Sequence, residues 1–243
     1  GIFLREIAKR LMVGLKSKIP SDTKRVNHIL KNQLFGLSIT ELTAFLSRRT
    51  LYYSKSSSGK FSACKNFKND EGNIHYKNFT HSWKNDKCVY CGAAKSVYDR
   101  GNVHENHAYA FIHKNIYETF LSKNMKFDVI VGNPPYQLTD GGHGTSASPI
   151  YQLFVEQAKK LNPRYISMII PARWYSGGKG LDNFRDMMLK DKRITHLVDY
   201  FDSTECFPGV DISGGVCYFL WERDREDSCQ VESHLNKKVT NIK

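Results

Sequence analysis

Asn133-Pro134-Pro135-Tyr136 sets two hydrogen-bond acceptors and an aromatic ring on four consecutive positions. The turn follows the apolar strand Phe127-Asp128-Val129-Ile130-Val131 through Gly132, so it sits at that strand's carboxyl end. Open α/β sheets bind their ligands there. The prolines fix φ and lack an N–H, which stiffens the turn and points its carbonyls outward. The Asn133 side-chain oxygen and the Pro134 carbonyl then offer two acceptors to one –NH₂ group, with Tyr136 able to stack on the ring that bears it. An exocyclic amine is a poor nucleophile because its lone pair is delocalised into the ring. Two acceptors on its hydrogens draw the nitrogen toward a tetrahedral shape and localise that pair for in-line attack on a methyl sulfonium. Positioning and electrostatics do most of this work, with no covalent intermediate or strong base. The bland alternative is a proline-stiffened turn that ends a core strand.

A second constellation is Cys88-Val89-Tyr90-Cys91-Gly92, a C-x-x-C knuckle with Cys64 and His81 upstream. Cys64, His81, Cys88 and Cys91 make four soft ligands for a closed, structural zinc site, with His75 competing for the fourth place. A pair of buried thiols is the alternative, and no thioredoxin-like context supports a redox role. The need for a staple is physical, because residues 54–100 are a polar stretch, rich in Ser, Asn and Lys, with no helical stripe. There Lys60, Lys65, Lys68, Lys77, Lys84, Lys87 and Lys95 interleave with Phe61, Phe67, Tyr76, Phe79 and Trp83, a mixture suited to phosphates and unpaired bases, or to a solvated surface over a small aromatic core. Glu105, His107 and His113 read as a helix with surface histidines, and Cys206, Cys217 and Cys229 as ordinary thiols. Arg48-Arg49 suits either phosphate contact or the dipole at a helix end. Asp140 and His143, among glycines, suit a lid over a bound base or a solvent loop.

The elements that must position these groups alternate. Phe3, Leu4, Ile7, Leu11 and Leu15 predict a helix over 1–18, and a second helix follows Pro20-Ser21-Asp22. Residues 34–37 read as a short strand, and Thr40 caps a helix through Leu46. Beyond the polar stretch come a helix over 107–121, the strand 127–131, helices over 150–161 and 181–189, and strands over 165–170, 195–200 and 215–221. This rhythm predicts an α/β fold with a doubly wound, mainly parallel sheet.

Composition narrows the rest. A chain of 243 residues with 40% hydrophobic content buries a real core, and no apolar run reaches the roughly 18 residues of a membrane span. Six dispersed cysteines point to reduced thiols or metal in a cytoplasmic protein rather than to a disulfide scaffold. Residues 1–126 hold 22 Lys and Arg against 9 Asp and Glu, a net +13, whereas residues 127–243 hold 14 against 15. Nearly all the basic excess therefore lies in the first half, where a polyanion gains most from counterion release.

The strand followed by Asn133-Pro134-Pro135-Tyr136 resembles the signature of S-adenosylmethionine-dependent amino methyltransferases, above all the N6-adenine DNA methyltransferases of type II restriction–modification systems. Gly1-Ile2-Phe3-Leu4-Arg5-Glu6-Ile7 resembles the tail of that family's first cofactor motif, with Gly1 as its last glycine. This implies a fragment whose first cofactor strand lies upstream. Residues 32–40 resemble the second strand, where Ser38 stands in place of the usual ribose-binding carboxylate and Glu41 can substitute. Residues 149–175, with Pro171-Ala172-Arg173-Trp174, resemble the helix and strand after the catalytic turn. Phe207-Pro208-Gly209-Val210-Asp211 and residues 214–221 resemble the segment bordering the target-base pocket.

The resemblance implies a Rossmann-like doubly wound methyltransferase sheet with a small Cys/His-rich insertion, divided as core 1–53, insertion 54–106 and catalytic core 107–243. It implies Asn133, Pro134, Pro135 and Tyr136 as catalytic residues, and Gly1, Phe3, Ser38, Glu41 and Asn133 as contacts to S-adenosylmethionine. Tyr136 and Phe207 would line the base pocket. The implied partners are double-stranded DNA with a flipped adenine and an endonuclease domain or subunit, with no membrane. The competing readings are an amino-methyltransferase of RNA bases or protein glutamine, and a zinc-stapled DNA-binding module on an inactive methylase scaffold.

Overall fold

The computed structural model of the protein describes residues 1–64, 67–99, 108–114, 119, 125–138, 148–235 and 238–242. They form two compact units.

The first unit contains helices α1 (Ile2–Gly14), α2 (Asp22–His28) and α3 (Glu41–Tyr52), with strands β1 (Gly36–Leu37) and β2 (Ile74–His75). Leu4, Ile7, Leu11 and Leu15 pack one side of α1 against the core, as their helical spacing predicts. Ser21 caps α2 by accepting the Lys24 N–H at 3.5 Å, and α2 ends in a π-helical turn over Ile29–Gln33. A reciprocal capping box between Thr40 and Thr43 opens α3. This helix runs past its predicted end because Leu51 and Tyr52 are buried, and it stops where Tyr53 adopts a left-handed φ of 57°. β1 and β2 pair in parallel, Gly36 opposite Ile74 and Leu37 opposite His75.

The core of this unit draws Ile29, Leu30 and Leu34 from the helical segment and Cys64 and Ile74 from the polar stretch. Arg48 is buried there: its Nε and Nη2 donate to the Ile74 carbonyl at 3.0 and 2.8 Å, and Nη2 also meets Glu71 at 3.0 Å. Its role is internal anchoring of β2, not phosphate contact or a helix-end charge. Phe67 is likewise drawn inward, with its ring centroid 5.4 Å from that of Tyr52.

The second unit is built on a six-stranded sheet of β5 (Val129–Gly132), β6 (Tyr165–Pro171), β7 (Ile194–Tyr200), β8 (Val216–Glu222), β9 (Gln230–Leu235) and β10 (Lys238–Ile242), in the order β10-β9-β7-β8-β6-β5. The sheet is mixed rather than mainly parallel. β5–β6 and β7–β9 pair in parallel, whereas β8 runs antiparallel to both β6 and β7, and β10 antiparallel to β9. β8 slots between β6 and β7 after a return through Gly214 and Gly215. A Cβ at Gly215 would stand 2.2 Å from the Tyr200 carbonyl oxygen, so only glycine fits that turn. Helices α6 (Tyr151–Lys160) and α7 (Asp182–Lys190) cover the sheet with Tyr151, Phe154, Val155 and Ala158, and with Phe184 and Met188. The predicted helix over 107–121 is described only in part, and Asp140 and His143 lie outside the described residues.

One buried charge network ties this unit together. Asp191 accepts hydrogen bonds from Lys159 at 2.9 Å, Trp221 Nε1 at 2.9 Å and Arg193 at 2.7 and 3.0 Å. Burial alone would raise its pKa, but these donors, Arg193 first, hold the carboxyl well below the usual carboxylate range. Its contribution is therefore fully present above the ordinary Asp pKa of about 4 and lost as pH falls through the depressed folded value. Asp191→Ala leaves Lys159 and Trp221 without their acceptor and is expected to destabilise the protein by about 3–5 kcal/mol, read as a lower urea midpoint. The wild type should show acid lability below about pH 4 that the variant lacks. Among the described residues, no helix is long and apolar enough to cross a membrane.

Candidate functional site

β5 delivers the Asn-Pro-Pro-Tyr turn at its carboxyl end, as its sequence predicts. Asn133 is exposed, Pro134 is buried beneath it, and Pro135 and Tyr136 are half-buried. The chain then returns under its own hydrogen bonds: the Ile150 N–H donates to the Tyr136 carbonyl at 3.1 Å and the Leu138 N–H to the Ser148 carbonyl at 2.9 Å. These bonds anchor the far side of the turn to the start of α6, leaving Asn133 as its polar tip. A stiff backbone with an exposed amide at its apex can hold an acceptor pair in place without reorganising.

Tyr136 has its ring partly accessible and its hydroxyl buried, with no hydrogen-bond partner among the described residues. Burial, followed by the neighbouring Cys206 and Cys217 thiols, pushes its pKa far above the usual tyrosine range, so the phenol stays neutral. Cys217 is itself fully buried on β8 and accepts from Trp174 Nε1 at 3.5 Å. Burial raises the Cys217 thiol to about 12, which makes it an inert packing group.

Cys206 and Phe207 belong to the return loop between β7 and β8. Ser203, buried at its start, donates to the Val210 carbonyl at 2.9 Å and accepts the Ile212 N–H at 2.8 Å. The Phe207 N–H meets the Ser203 carbonyl at 2.8 Å, so one serine shapes the loop that carries Phe207. The Cys206 thiol lies near enough to raise the Tyr136 pKa, so the loop and the Asn-Pro-Pro-Tyr turn are neighbours. Sequence reasoning missed Ser203; the signal was a small hydroxyl residue just before Pro208-Gly209, a pattern that favours side-chain-to-backbone bonds.

The residues assigned to the cofactor fall on two elements of the first unit and on β5. Gly1 is the N-cap of α1, where an added Cβ would meet the Thr50 hydroxyl at 3.4 Å, and Phe3 is 45% exposed two residues later. Ser38 follows β1 directly, its N–H donating to the His75 carbonyl at 3.0 Å, and Glu41 opens α3 with an exposed carboxylate. Ser38 and Glu41 thus flank one turn at the carboxyl end of a strand. Of the basic and aromatic residues, Phe61 stays 79% exposed with Lys60 over its ring at 5.7 Å.

The predicted metal ligands are partly corrected. Cys64 is 0% exposed inside the apolar cluster of Leu30, Leu51, Tyr52 and Ile74, where it packs as a small hydrophobe. Cys88, closing the hairpin of β3 (Trp83–Lys84) and β4 (Lys87–Cys88), and Cys91, ahead of the short helix α4 (Lys95–Tyr98), are both buried. His113, on the short helix α5 (Ala110–His113), is buried rather than on the surface. His75 is engaged elsewhere, its Nδ1 3.4 Å from Glu71. Burial lowers the His113 imidazole to about 4, so it is neutral near pH 7. Nothing in its local sequence marked His113 as buried, since α5 has only one turn and no apolar stripe of its own.

Comparison with known proteins supplies the remaining observation. Residues 32–207 match the Eco57I restriction-modification methylase family. An "uncharacterized adenine-specific methylase" of Mycoplasma pneumoniae (strain ATCC 29342 / M129 / Subtype 1) is 40% identical over 262 residues, spanning 98% of this chain and 62% of that protein. The chain therefore covers under two thirds of that relative's length. The fold is shared with the Type ISP restriction-modification enzyme LlaGI, a nuclease-deletion mutant in complex with a DNA substrate mimic, at a TM-score of 0.55 and 11% identity over 100% of this chain and 23% of that one. It is shared also with the ATP-dependent Type ISP enzyme LlaBIII bound to DNA, at a TM-score of 0.53 and 12% identity over 96% of this chain and 17% of that one.

Proposed function

The chain belongs to the Eco57I restriction-modification methylase family, and from that premise we propose that it transfers a methyl group from S-adenosylmethionine to the N6 amine of an adenine flipped out of double-stranded DNA. This is the modification activity of a restriction–modification system. The observation that carries the reading is the exposed Asn133 amide on a turn locked by Pro134 and Pro135 at the carboxyl end of β5.

Asn133 Oδ1 and the Pro134 carbonyl accept the two amine hydrogens and localise the nitrogen lone pair. Tyr136 stacks on the purine face, and Phe207 forms a second wall. Unstacking the adenine costs about a few kcal/mol, which these aromatic contacts offset. When bound, S-adenosylmethionine supplies an electrophilic methyl group. The donor set fits it: the Ser38 hydroxyl and the Glu41 carboxylate, beside one turn, suit a ribose diol, and Gly1 brings a helix N-terminus with no side chain in the way. The net +13 of residues 1–126 favours a polyanionic substrate. LlaGI and LlaBIII, which share the fold, are solved with a DNA substrate mimic and with DNA.

The test is tritiated methyl transfer from S-adenosylmethionine by the intact gene product to plasmid DNA, total RNA and a protein lysate in parallel. Label is expected in DNA. Label confined to RNA or protein moves the reaction to another amine-bearing polymer, and DNA binding without label identifies a binding module that modifies nothing.

A further inference from the structure

We propose that one face of α2 and its π-helical turn is a docking site for the phosphate backbone of duplex DNA. This deepens the reading of DNA as substrate and rests on it. The face carries a groove of about 370 Å³ lined by Thr23, Lys24, Asn27, His28, Lys31 and Asn32. Every one of these residues is polar, two are cationic and none is acidic. Positions 24, 28 and 31 follow the helical period, so they share one side of the segment.

Lys24 and Lys31 are exposed and make no ion pair among the described residues. Residues 1–32 carry eight Lys and Arg against two Asp and Glu, a net +6. Both acids are already matched. Glu6 accepts from Arg5 at 3.0 Å and from Lys9 at 3.1 Å, and Asp22 pairs with the buried Arg25. The groove therefore presents uncompensated positive charge, which a phosphodiester neutralises with release of its counterions. The Asn32 side-chain amide lies 3.2 Å from His28 Nδ1. An –NH₂ can only donate, so Nδ1 carries the lone pair and Nε2 the proton, a donor suited to a phosphate oxygen.

The backbone under this face is fixed at both ends. The π turn closes with the Leu34 N–H donating to the Ile29 carbonyl at 3.0 Å. Asn73 Nδ2 donates to the Leu30 and Lys31 carbonyls at 2.9 and 2.8 Å, which satisfies acceptors that a helix end leaves open. The Asn73 N–H in turn donates to the Tyr52 hydroxyl at 3.0 Å. Ahead of α2, Arg25 Nη1 donates to the Ile19 and Pro20 carbonyls at 2.6 and 3.1 Å. A π turn is rare and frequently marks a functional site. Held this way, Lys24, His28 and Lys31 keep their spacing before DNA arrives, which lowers the cost of binding. Phosphate contacts of this kind set the register of a protein on the duplex without reading its sequence.

Fluorescence anisotropy of the intact gene product on duplex DNA, over about 50 to 200 mM salt, tests the assignment. Two phosphate contacts contribute about 1.8 to the slope of log affinity against log salt. Lys24→Ala combined with Lys31→Ala should flatten the slope by that amount and weaken binding alike on unrelated sequences. Its excess in Kd over the wild type should then shrink roughly tenfold across the salt range. Both side chains are exposed, so their removal should leave folding intact. As a control, Lys160→Ala combined with Lys190→Ala removes the same charge from α6 and α7 and should keep the wild-type slope. An unchanged slope in the first variant, or an equal loss in the control, would overturn the proposal. Tritiated methyl transfer by the wild type to the same duplex keeps the two readings apart. Labelled DNA with an unchanged slope overturns this inference alone, whereas neither binding nor label overturns the reading beneath it as well.

Discussion

Asn133→Ala is expected to lower kcat for methyl transfer by roughly 10²–10³-fold, the range seen when one preorganised polar group is removed from a transition state. Asn133 is exposed at the end of β5, so the unfolding free energy should stay within about 0.5 kcal/mol of the wild type. KM for DNA should change little, because the amide acts on the amine only once the base is in place. A matched fall in kcat and kcat/KM is the kinetic sign of an interaction made in the transition state. If KM alone rose, Asn133 would be a binding residue and the account of lone-pair localisation would fail.

Tyr136 separates into a ring and a hydroxyl with opposite expectations. Tyr136→Ala removes the stacking surface, worth about 1–3 kcal/mol per base, and should reduce kcat/KM by roughly 5–150-fold. Tyr136→Phe keeps the ring and deletes a hydroxyl that is buried with no hydrogen-bond partner among the described residues. Activity should therefore stay near that of the wild type, and stability should hold or rise by about 1 kcal/mol, since an unsatisfied buried hydroxyl is costly. Steady-state kinetics and urea unfolding on the same two proteins check both. A large loss of activity in Tyr136→Phe would show that the hydroxyl itself takes part.

What could be read from the sequence follows what is local in the chain. The Asn-Pro-Pro-Tyr turn was legible because its four residues are contiguous and follow an apolar run. Helix α3 was legible from its capping Thr40, and α6 and α7 from their sequence alone, with ends shifted by a few residues where buried side chains such as Tyr52 extend them. Strand order was not legible, because the insertion of β8 between β6 and β7 depends on a return loop hinged at Gly215, not on any pattern within the strands. β9 and β10 were missed because Gln230–Leu235 and Lys238–Ile242 alternate weakly and carry many polar residues. Cys64 misled because a buried apolar cysteine and a ligand cysteine look alike in a polar segment.

The central claim concerns which atom receives the methyl group. DNA labelled by the intact gene product from S-adenosylmethionine would be digested to nucleosides and separated against methylated standards. The account predicts that the label runs with N6-methyldeoxyadenosine and disappears in Asn133→Ala. Label on N4-methyldeoxycytidine, on a ring carbon, or on N6-methyldeoxyadenosine that persists undiminished in Asn133→Ala would contradict it.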